Sequence, residues 1–348
     1  MPVSVLESEI HEQPAILARL LSAGAATVDR IADRLSGRGL HHVVIAARGS
    51  SDNAARYAQY LFGVHNEMTV TLATPSVLTR YHARPRMQGS LVIGISQSGE
   101  SPDLIAVVEE ARRQGCPTLA ITNAPGSPLA SAADDTLLLL AETERSVAAT
   151  KTYTAQLMTL AMLSSALAGD GRRRGELASV PELVRQTLLA APGQVARAVE
   201  AMAGIDHAVV LGRGFNFATA HELALKLKEL AQVAAEPYSA ADFQHGPIAL
   251  VETGFAAIVI CASGAVQEEI ESLIAEMLAR GSRPIVVSDR ATALAGSPAP
   301  IHLPPAVPEW LSPLVAIVPG QLLAMELARA RELDPDRPRS LQKVTRTR

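Results

Sequence analysis

A serine-rich turn supplies the side chains best suited to hold an anion. The segment Gly94–Ser101 reads GISQSGES, and the apolar run Leu91–Ile95 that leads into it has the length of a buried strand. Ser101, Pro102 and Asp103 then have the residue types that begin a helix. A strand, a hydroxyl-rich turn and a helix N-terminus direct N–H groups and hydroxyls at one spot, which can bind phosphate without a lysine. The same residues would also serve a turn that only caps its helix, so the rest of the chain has to decide.

A run of acids and lysines farther along the chain falls on one predicted helix. Apolar spacing predicts a helix that carries Glu222, Lys226 and Glu229. Glu222 and Glu229 are about two helical turns apart, so they share one face. Taken alone, Glu229 is most simply explained as an exposed helical acid. His245 precedes Gly246-Pro247, which fixes a turn, and a lone histidine is usually structural.

The composition argues against several classes of function. A net charge of −4 gives no electrostatic basis for nucleic-acid binding, and 3% aromatic residues leave few stacking surfaces. Cys116 and Cys261 are isolated beside apolar runs, so we expect buried, reduced thiols and no metal site. Met1–Pro14 has no apolar core of signal-peptide type. No apolar stretch looks long and clean enough to span a bilayer, so the sequence predicts a cytoplasmic protein.

The elements that must position these residues follow an alternating pattern. Short apolar runs predict strands, and amphipathic stretches predict helices between most of them. The pattern is typical of parallel sheets covered by helices. The predicted strands are 42–47, 69–73, 91–95, 118–122, 136–140, 208–211, 256–261, 284–288 and 301–303, and the longer helices are 150–167, 219–233 and 311–333.

The second half of the chain repeats the first. Val44–Gly49 (VIAARG) aligns with Val209–Gly214 (VVLGRG), and Ala155–Met158 (AQLM) aligns with Gly320–Leu323 (GQLL). Both alignments have the same offset of 165 residues, which predicts two duplicated α/β domains. The halves are not equivalent, because the counterpart of the serine-rich turn, Ala262–Ala265, has lost most of its hydroxyls.

The predicted organisation has five segments. N-terminal helices occupy 1–36, the first domain with the anion-binding turn 37–170, a linker and helix 171–200, the second domain with the acid-and-lysine helix 201–333, and a C-terminal tail 334–348. We expect 168–180 to be an interdomain link, with Arg172-Arg173-Arg174 on a solvated turn.

Six short motifs together resemble the double SIS (sugar isomerase) domain family, in particular the isomerase half of glutamine–fructose-6-phosphate aminotransferase. The resemblance covers nearly the whole chain. It implies two tandem flavodoxin-like three-layer α/β/α domains. It rests on EIHEQP at 9–14, the serine-rich turn, AATK at 148–151, ALKLKE at 224–229, HGP at 245–247, and DRPR at 336–339 with Lys343.

The resemblance implies where a phosphosugar would bind. In that family, the serine-rich turn and hydroxyls of the first strand–helix turn hold the phosphate of a six-carbon sugar. Neutral donors around a dianion can do this without a metal. The residues so implied are Ser50, Ser51, Ser96, Gln97, Ser98 and Ser101 for the phosphate, and Glu144 and Ala148 for the sugar.

The resemblance also implies catalytic roles. Glu229 would move a proton between C1 and C2, with Lys226 near the carboxylate. His245 would assist ring opening and would reach into the site of a neighbouring subunit, which implies a homodimer. Lys343 would form a Schiff base with the open-chain ketose, and Glu144 would contact the amino-sugar side. No cofactor is implied.

Departures from the family bear on the substrate. The sequence shows no N-terminal amidotransferase domain and no nucleophilic N-terminal cysteine, so we expect this chain to take no ammonia from glutamine by itself. Ala149 replaces a serine of the family motif, and Thr74-Pro75-Ser76 replaces a more acidic stretch.

Three functions compete at this point. The leading hypothesis is a phosphosugar isomerase/deaminase that converts glucosamine 6-phosphate to fructose 6-phosphate and ammonia, with galactosamine 6-phosphate, an N-acetylated sugar or a deglycated fructosamine 6-phosphate as alternative substrates. A non-catalytic sugar-phosphate sensor is the second, although no helix-turn-helix segment accompanies it. A nicotinamide-dependent enzyme is the third, because Gly212-Arg213-Gly214 follows a strand, but the third glycine of a dinucleotide turn is missing.

Overall fold

The computed structural model describes residues 3–343, so the tail beyond Lys343 lies outside the described residues. Three helices and a π-helical segment precede the first strand: α1 (Val5–His11), α2 (Gln13–Arg19), Leu20–Gly24 and α3 (Ala25–Leu35). The first strand–helix series then consists of β1 (His42–Ala46), α4 (Ser50–Asn66), β2 (Thr69–Leu72), α5 (Pro75–Thr79), β3 (Ser90–Ile95), α6 (Pro102–Arg113), β4 (Thr118–Thr122), α7 (Pro128–Ala132), β5 (Asp135–Leu138) and α8 (Lys151–Ala168).

The second series follows two connecting helices. It consists of α9 (Gly171–Leu177), α10 (Val180–Ala201), β6 (His207–Gly212), α11 (Phe217–Ala231), β7 (Ala234–Ser239), α12 (Ala240–Gln244), β8 (Ala257–Cys261), α13 (Gln267–Ala279), β9 (Ile285–Ser288), α14 (Ala291–Leu294), β10 (Ile301–His302) and α15 (Ser312–Ala330). Three short 3₁₀ turns lie among them, at Gly214–Asn216, Pro247–Leu250 and Glu309–Leu311.

The chain divides into two compact units. The β1–β5 unit contains 15–144, 151–179 and the described part of 342–348. The β6–β10 unit contains the described part of 1–14, together with 145–150 and 180–341. Each unit therefore takes short segments from a distant part of the sequence.

The sheet of the β1–β5 unit has the strand order β2-β1-β3-β4-β5, and all its pairings are parallel. Its central strands β3 and β4 are buried along their whole length, which explains why both read as uninterrupted apolar runs rather than alternating ones. Strand β2 is at one edge and is only partly buried. The carboxyl ends of all five strands lie on one edge of the sheet, and that is the edge where ligands bind in folds of this type.

The sheet of the β6–β10 unit repeats this order as β10-β9-β8-β6-β7, again with parallel pairings. The repeat holds at the level of single residues: β1 begins at His42 and β6 at His207, while α6 begins at Pro102 and α13 at Gln267. Both pairs have the offset of 165 found in the sequence. Two tandem parallel α/β domains are therefore confirmed as the fold class.

Two elements differ from the sequence-based prediction. Strand β7 was not predicted, because Ala234–Ser239 (AAEPYS) is short, half-buried and contains Pro237, which is tolerated only because β7 is an edge strand. The predicted link at 168–180 contains helix α9. Asp170 caps this helix by accepting hydrogen bonds from the backbone N–H groups of Arg172 and Arg173, so the basic triplet lies on a helix rather than a turn.

We expected no stretch to be long and apolar enough to span a membrane, and this expectation was wrong. Glu309–Ala330, which includes α15, is long and apolar enough, with a mean hydropathy of 1.5. In the folded β6–β10 unit, 94% of the most apolar 18-residue stretch of that segment is buried, and α15 packs against α10 and α11. Its apolar composition is that of a central core helix.

Both cysteines are buried free thiols, as expected from their surroundings. Cys261 is the last residue of β8, and burial raises the pKa of its thiol to about 12. A thiol in this state is a packing group rather than a nucleophile.

Candidate active site

Two turns of the β1–β5 unit meet at the edge where the strand order reverses. The first turn joins β1 to α4, which begins at Ser50, and the second joins β3 to α6 through Ser96–Ser101. Strands β1 and β3 are adjacent, with Ala46 opposite Gly94. In open α/β sheets, ligands bind outside the carboxyl ends of the strands at such a reversal. The residues predicted to hold phosphate all belong to these two turns.

The serine-rich turn is fixed by its own hydroxyls. Ser96 Oγ accepts a hydrogen bond from Gly99 N–H at 3.1 Å, and Ser98 Oγ accepts one from Glu100 N–H at 3.3 Å. Gly99 has a φ of +65°, and a Cβ there would lie 2.2 Å from Ser127 Oγ, so the turn needs glycine at this position. Ser101 is the N-cap of α6, as predicted, but its side chain makes no capping hydrogen bond.

A salt bridge between the two turns was not identified from the sequence. The guanidinium of Arg48 donates two hydrogen bonds, at 3.0 and 2.8 Å, to Asp103 Oδ2 in the first turn of α6. Asp103 is buried, whereas about half of the Arg48 side chain is exposed. Arg48 and Asp103 therefore form an ion pair at this edge. The pair ties the β1 turn to the β3 turn and brings a cation to an edge where we expected only neutral donors.

Gln156 is the second residue that the sequence analysis missed at this edge. It lies on α8, is almost completely buried, and donates a hydrogen bond from Nε2 to Ser51 Oγ at 2.9 Å. Because the Ser51 oxygen accepts this bond, the Ser51 hydroxyl proton can be donated elsewhere. Gln156 Oε1 is buried and has no hydrogen-bond partner within residues 3–343. The sequence did contain a signal, since Gln156 was one of the residues that aligned the two halves.

The structure brings Lys343 and Glu144 together. Lys343 Nζ lies 2.6 Å from Glu144 Oε2, and both residues belong to the β1–β5 unit. Glu144 is buried and also accepts hydrogen bonds from Thr152 N–H at 3.1 Å and Thr152 Oγ1 at 2.7 Å. About a quarter of the Lys343 side chain is exposed. Lys343 therefore forms an ion pair with the buried Glu144, whereas a lysine in a polar tail is usually solvated.

In the β6–β10 unit, α11 carries a lysine between two acids. Lys226 Nζ lies 2.5 Å from Glu229 Oε2 and 3.4 Å from Glu222 Oε1. Lys226 and Glu222 are fully buried, whereas the Glu229 side chain is about a quarter exposed. A buried ammonium is tolerated because carboxylates on both sides compensate its charge. Glu229 is the member of this group that combines a carboxylate with access from solvent.

The structure does not bring His245 to another predicted residue by a hydrogen bond. It follows α12, its side chain is exposed, and its backbone N–H donates to Asp242 O. Gly246, with a φ of +139°, and the 3₁₀ turn that starts at Pro247 come directly after it. The histidine is therefore presented at a sharp, glycine-dependent turn of the β6–β10 unit, where it is exposed to solvent.

Ala148 lies on a segment, 145–150, that the β6–β10 unit holds firmly. Glu9 of α1 is buried and accepts hydrogen bonds from Arg145 N–H at 2.5 Å and from Ser146 N–H at 3.2 Å, as well as one from Ser146 Oγ. Ser146 Oγ also lies 3.0 Å from Ala148 O. The EIHEQP motif that includes Glu9 therefore has a physical task, which is to fix this segment.

No cluster of three or more His, Cys, Asp or Glu side chains within residues 3–343 is arranged to hold a metal ion. The candidate chemistry rests on hydroxyls, carboxylates, two lysines and one histidine.

Comparison with known proteins identifies the family of the chain. The SIS domain model matches residues 38–166 and 201–330. The chain is 36% identical over 345 residues to a glutamine–fructose-6-phosphate aminotransferase (isomerizing) from Thermococcus kodakarensis, which covers 96% of this chain and 56% of the relative. A Brucella abortus protein of the same name is 34% identical over 357 residues and covers 97% of this chain and 58% of the relative. The chain thus spans a little over half the length of these relatives.

Solved structures show the same fold. The C-terminal domain of glucosamine-fructose-6-phosphate aminotransferase from Francisella tularensis aligns with a TM-score of 0.88 and 28% identity, over 96% of this chain and 98% of that chain. A Silicibacter pomeroyi DSS-3 structure assigned to the phosphosugar isomerases aligns with a TM-score of 0.86 and 32% identity, over 96% of this chain and 100% of that chain. With two matched domains and the two switch-point turns in place, this chain belongs to the SIS domain family.

Proposed function

We propose that the protein is a phosphosugar isomerase/deaminase that acts on an amino-sugar 6-phosphate, and that its main reaction converts glucosamine 6-phosphate to fructose 6-phosphate and ammonia. The relatives with 34–36% identity are isomerizing aminotransferases named for fructose 6-phosphate. This chain matches 56–58% of their length. We expect the enzyme to act in the cytoplasm as a homodimer.

In this proposal, the phosphate of the sugar binds at the β1/β3 switch point. Ser50, Ser51, Ser96, Ser98 and Ser101 donate hydroxyl hydrogen bonds, and the N-terminus of α6 adds its dipole. Arg48 contributes positive charge at the same edge, although Asp103 compensates part of it. The arrangement favours a dianion over a neutral group, so a phosphosugar binds and the free sugar does not. Gln97, the last of the six residues predicted to hold phosphate, supports the turn through its backbone carbonyl, which accepts from Asn123 N–H.

The isomerisation step is proton transfer by Glu229. In the open-chain amino-aldose, the carboxylate takes the proton from C2 and gives a proton to C1 through an enolamine, while a second proton passes from the ammonium nitrogen to O1, so that the double bond moves from C1–O to C2–N. Lys226 keeps the Glu229 carboxylate in place by its 2.5 Å ion pair. The product of this step is the C2 iminium form of fructose 6-phosphate.

Release of ammonia is the task of Lys343. Its neutral amine attacks C2 of the iminium, ammonia leaves, and a Schiff base between Lys343 and the ketose remains. Water then adds to C2 and breaks the carbon–nitrogen bond, which releases fructose 6-phosphate and restores the lysine. An ion-paired ammonium must first lose a proton, and Glu144 is the group in contact that can accept it.

His245 completes the proposal as the acid–base group that opens the sugar ring. An imidazole can give a proton to the ring oxygen and take one from the C1 hydroxyl. We propose that it does so in the site of the partner subunit. Mixing an inactive Glu229→Gln subunit with an inactive His245→Asn subunit should then restore part of the activity, and no recovery after proven subunit exchange would contradict action across the interface.

The observation that carries the proposal is the Lys343–Glu144 contact. The family resemblance implied a Schiff-base lysine at Lys343 and an acid on the amino-sugar side at Glu144, and although 199 positions separate them, their side chains are 2.6 Å apart. A tail lysine without a task would gain little from being held on a buried acid, because ordering a long side chain costs conformational entropy.

A substrate panel tests the proposal. Purified protein is incubated separately with glucosamine 6-phosphate, galactosamine 6-phosphate, N-acetylglucosamine 6-phosphate and fructosamine 6-phosphate, and kcat/KM is compared. We expect turnover of glucosamine 6-phosphate with the highest kcat/KM. Turnover of another member alone would change the substrate and retain the chemistry, whereas tight binding without turnover of any member would favour the sensor function.

A further inference from the structure

The β6–β10 unit repeats the architecture of the phosphate edge, including its switch point. Strands β6 and β8 are adjacent, with Leu211 opposite Val259, and the turns that follow them lie at the same edge. The offset of 165 places Gly214 at the position of Gly49 and Gly264 at the position of Gly99, and all four glycines have positive φ. Both glycine-containing turns are therefore repeated, with similar φ at Gly49 and Gly214 and a more extended φ at Gly264 than at Gly99.

The side chain of Glu309 occupies the second cradle, which is the space beside the turns after β6 and β8. Glu309 Oε2 accepts a hydrogen bond from Ala265 N–H at 2.9 Å, in the turn that precedes α13. A Cβ at Gly264 would lie 2.0 Å from Glu309 Cδ, and a Cβ at Gly214 would lie 3.9 Å from Glu309 Oε1. The carboxylate therefore lies against the turn after β8 and close to the turn after β6, which is where an anion would bind at a switch point.

Other groups of the two turns are already used. Ser263 donates from N–H at 2.8 Å and from Oγ at 2.6 Å to Asp289, so its hydroxyl proton is already used. Arg213, in the turn after β6, pairs with Glu269 at 2.5 Å. The Glu309 carboxylate is held by the N–H of Ala265, two residues before α13 begins, and backbone N–H groups beside a helix N-terminus are the kind of environment that binds anions.

The acid at one repeated position makes different contacts in the two halves. Glu309 is the counterpart of Glu144 at the same offset of 165. Glu144 accepts hydrogen bonds from Thr152 on α8 and from Lys343, rather than from the serine-rich turn. Glu309 instead accepts from Ala265, whose counterpart in the first half, Glu100, donates its N–H to Ser98 Oγ. The acid at this repeated position therefore contacts the turn after β8 in the second half, whereas in the first half it contacts Thr152 and Lys343 instead of the serine-rich turn.

We propose that the β6/β8 switch point is a second anion cradle and that Glu309 is its permanent internal ligand, so that removal of this carboxylate opens the cradle to phosphate. The inference is independent of the reaction proposed above. It predicts that the β6/β8 switch point of the intact chain binds no phosphate.

The test is the stoichiometry of binding of radiolabelled inorganic phosphate in equilibrium dialysis. We expect Glu309→Ala to bind about one phosphate per chain more than the wild type, because the N–H of Ala265 and the α13 N-terminus become available. Glu252→Ala is the matched control, since it removes an exposed acid of the same unit and should leave the stoichiometry unchanged. The quantity compared is the increment, so the result does not depend on whether the first half binds phosphate.

An unchanged stoichiometry in folded Glu309→Ala would overturn the proposal. If that variant does not fold, Glu309→Asp tests the same contact, because a side chain shorter by one methylene withdraws the carboxylate. Hydrogen exchange at the Ala265 amide should then become about tenfold faster than in the wild type, as expected when a hydrogen bond to a charged acceptor is lost. An unchanged exchange rate would contradict the internal ligand.

Discussion

Lys343 Nζ lies 2.6 Å from Glu144 Oε2, so the end of the described chain is anchored on a buried carboxylate of the β1–β5 unit. Glu144 is in turn held by the backbone N–H and hydroxyl of Thr152, at the beginning of α8. A reactive amine needs a fixed position and a nearby proton acceptor, and this pair offers both.

The first prediction concerns covalent chemistry at Lys343. Borohydride added during incubation with fructose 6-phosphate should reduce a Schiff base and leave a stable adduct of the ketose on Lys343, detectable by mass spectrometry of peptides. Lys343→Met should abolish the adduct and the release of ammonia. Lys228→Met is the matched control, because Lys228 is exposed on α11 and should not affect trapping. An adduct that persists in Lys343→Met would assign the Schiff base to another residue.

The second prediction concerns the stability of the buried charges on α11. Lys226→Met leaves Glu222 buried without its cation, and we expect the free energy of unfolding to fall by about 3–5 kcal/mol. The double variant Lys226→Met/Glu222→Gln should recover part of this loss, because the uncompensated charge is gone. Urea denaturation of both variants measures the effect. A double variant as unstable as the single one would show that packing, rather than charge, causes the loss.

The alternation of strands and helices was predictable from the sequence because it follows from burial. Strands β3 and β4 are covered on both faces, and their apolar runs were identified. Strand β7 was not identified, because an edge strand that contains Pro237 and polar residues lacks the pattern by which buried strands are recognised.

The candidate site could be predicted in part. The serines of the β3 turn follow a strand directly, so their position was determined by local sequence. The Lys343–Glu144 contact and the Arg48–Asp103 pair join residues far apart in the chain, and only the folded structure brings them together. Gln156 was recognised as a repeat signal, but its hydrogen bond to Ser51 depends on the packing of α8 beside α4.

The third prediction concerns Gln156 as a positioning residue for the phosphate edge. Gln156→Leu removes the hydrogen bond that orients Ser51, so KM for the phosphosugar should rise about fivefold to tenfold while kcat changes little. Ser51→Ala should have a similar effect, and the double variant should be no worse than either single variant, because both remove the same interaction. Fully additive effects would show that Gln156 acts independently of Ser51.

The fourth prediction concerns the pH dependence of stability. Burial, followed by the nearby cation Arg173, lowers the pKa of His65 from 6.5 to about 4. Between these pH values the unfolded chain binds a proton that the folded chain does not, so His65 makes the protein less stable as the pH falls from 7 to 5. The effect should be about 1 kcal/mol, because the side chain is only half-buried and solvent screens it. His65→Gln should remove this part of the slope in urea denaturation, and an unchanged slope would exclude His65 as its source.

The most direct test of the proposed function is the release of ammonia and fructose 6-phosphate, measured together, from glucosamine 6-phosphate. We predict equal amounts of the two products from the wild type and from Glu252→Gln, an exposed control. In Glu229→Gln, which keeps the shape of the side chain but cannot accept the C2 proton, turnover should fall by about 10²–10⁴-fold. Neither product from folded wild-type protein, or full turnover by Glu229→Gln, would contradict the account.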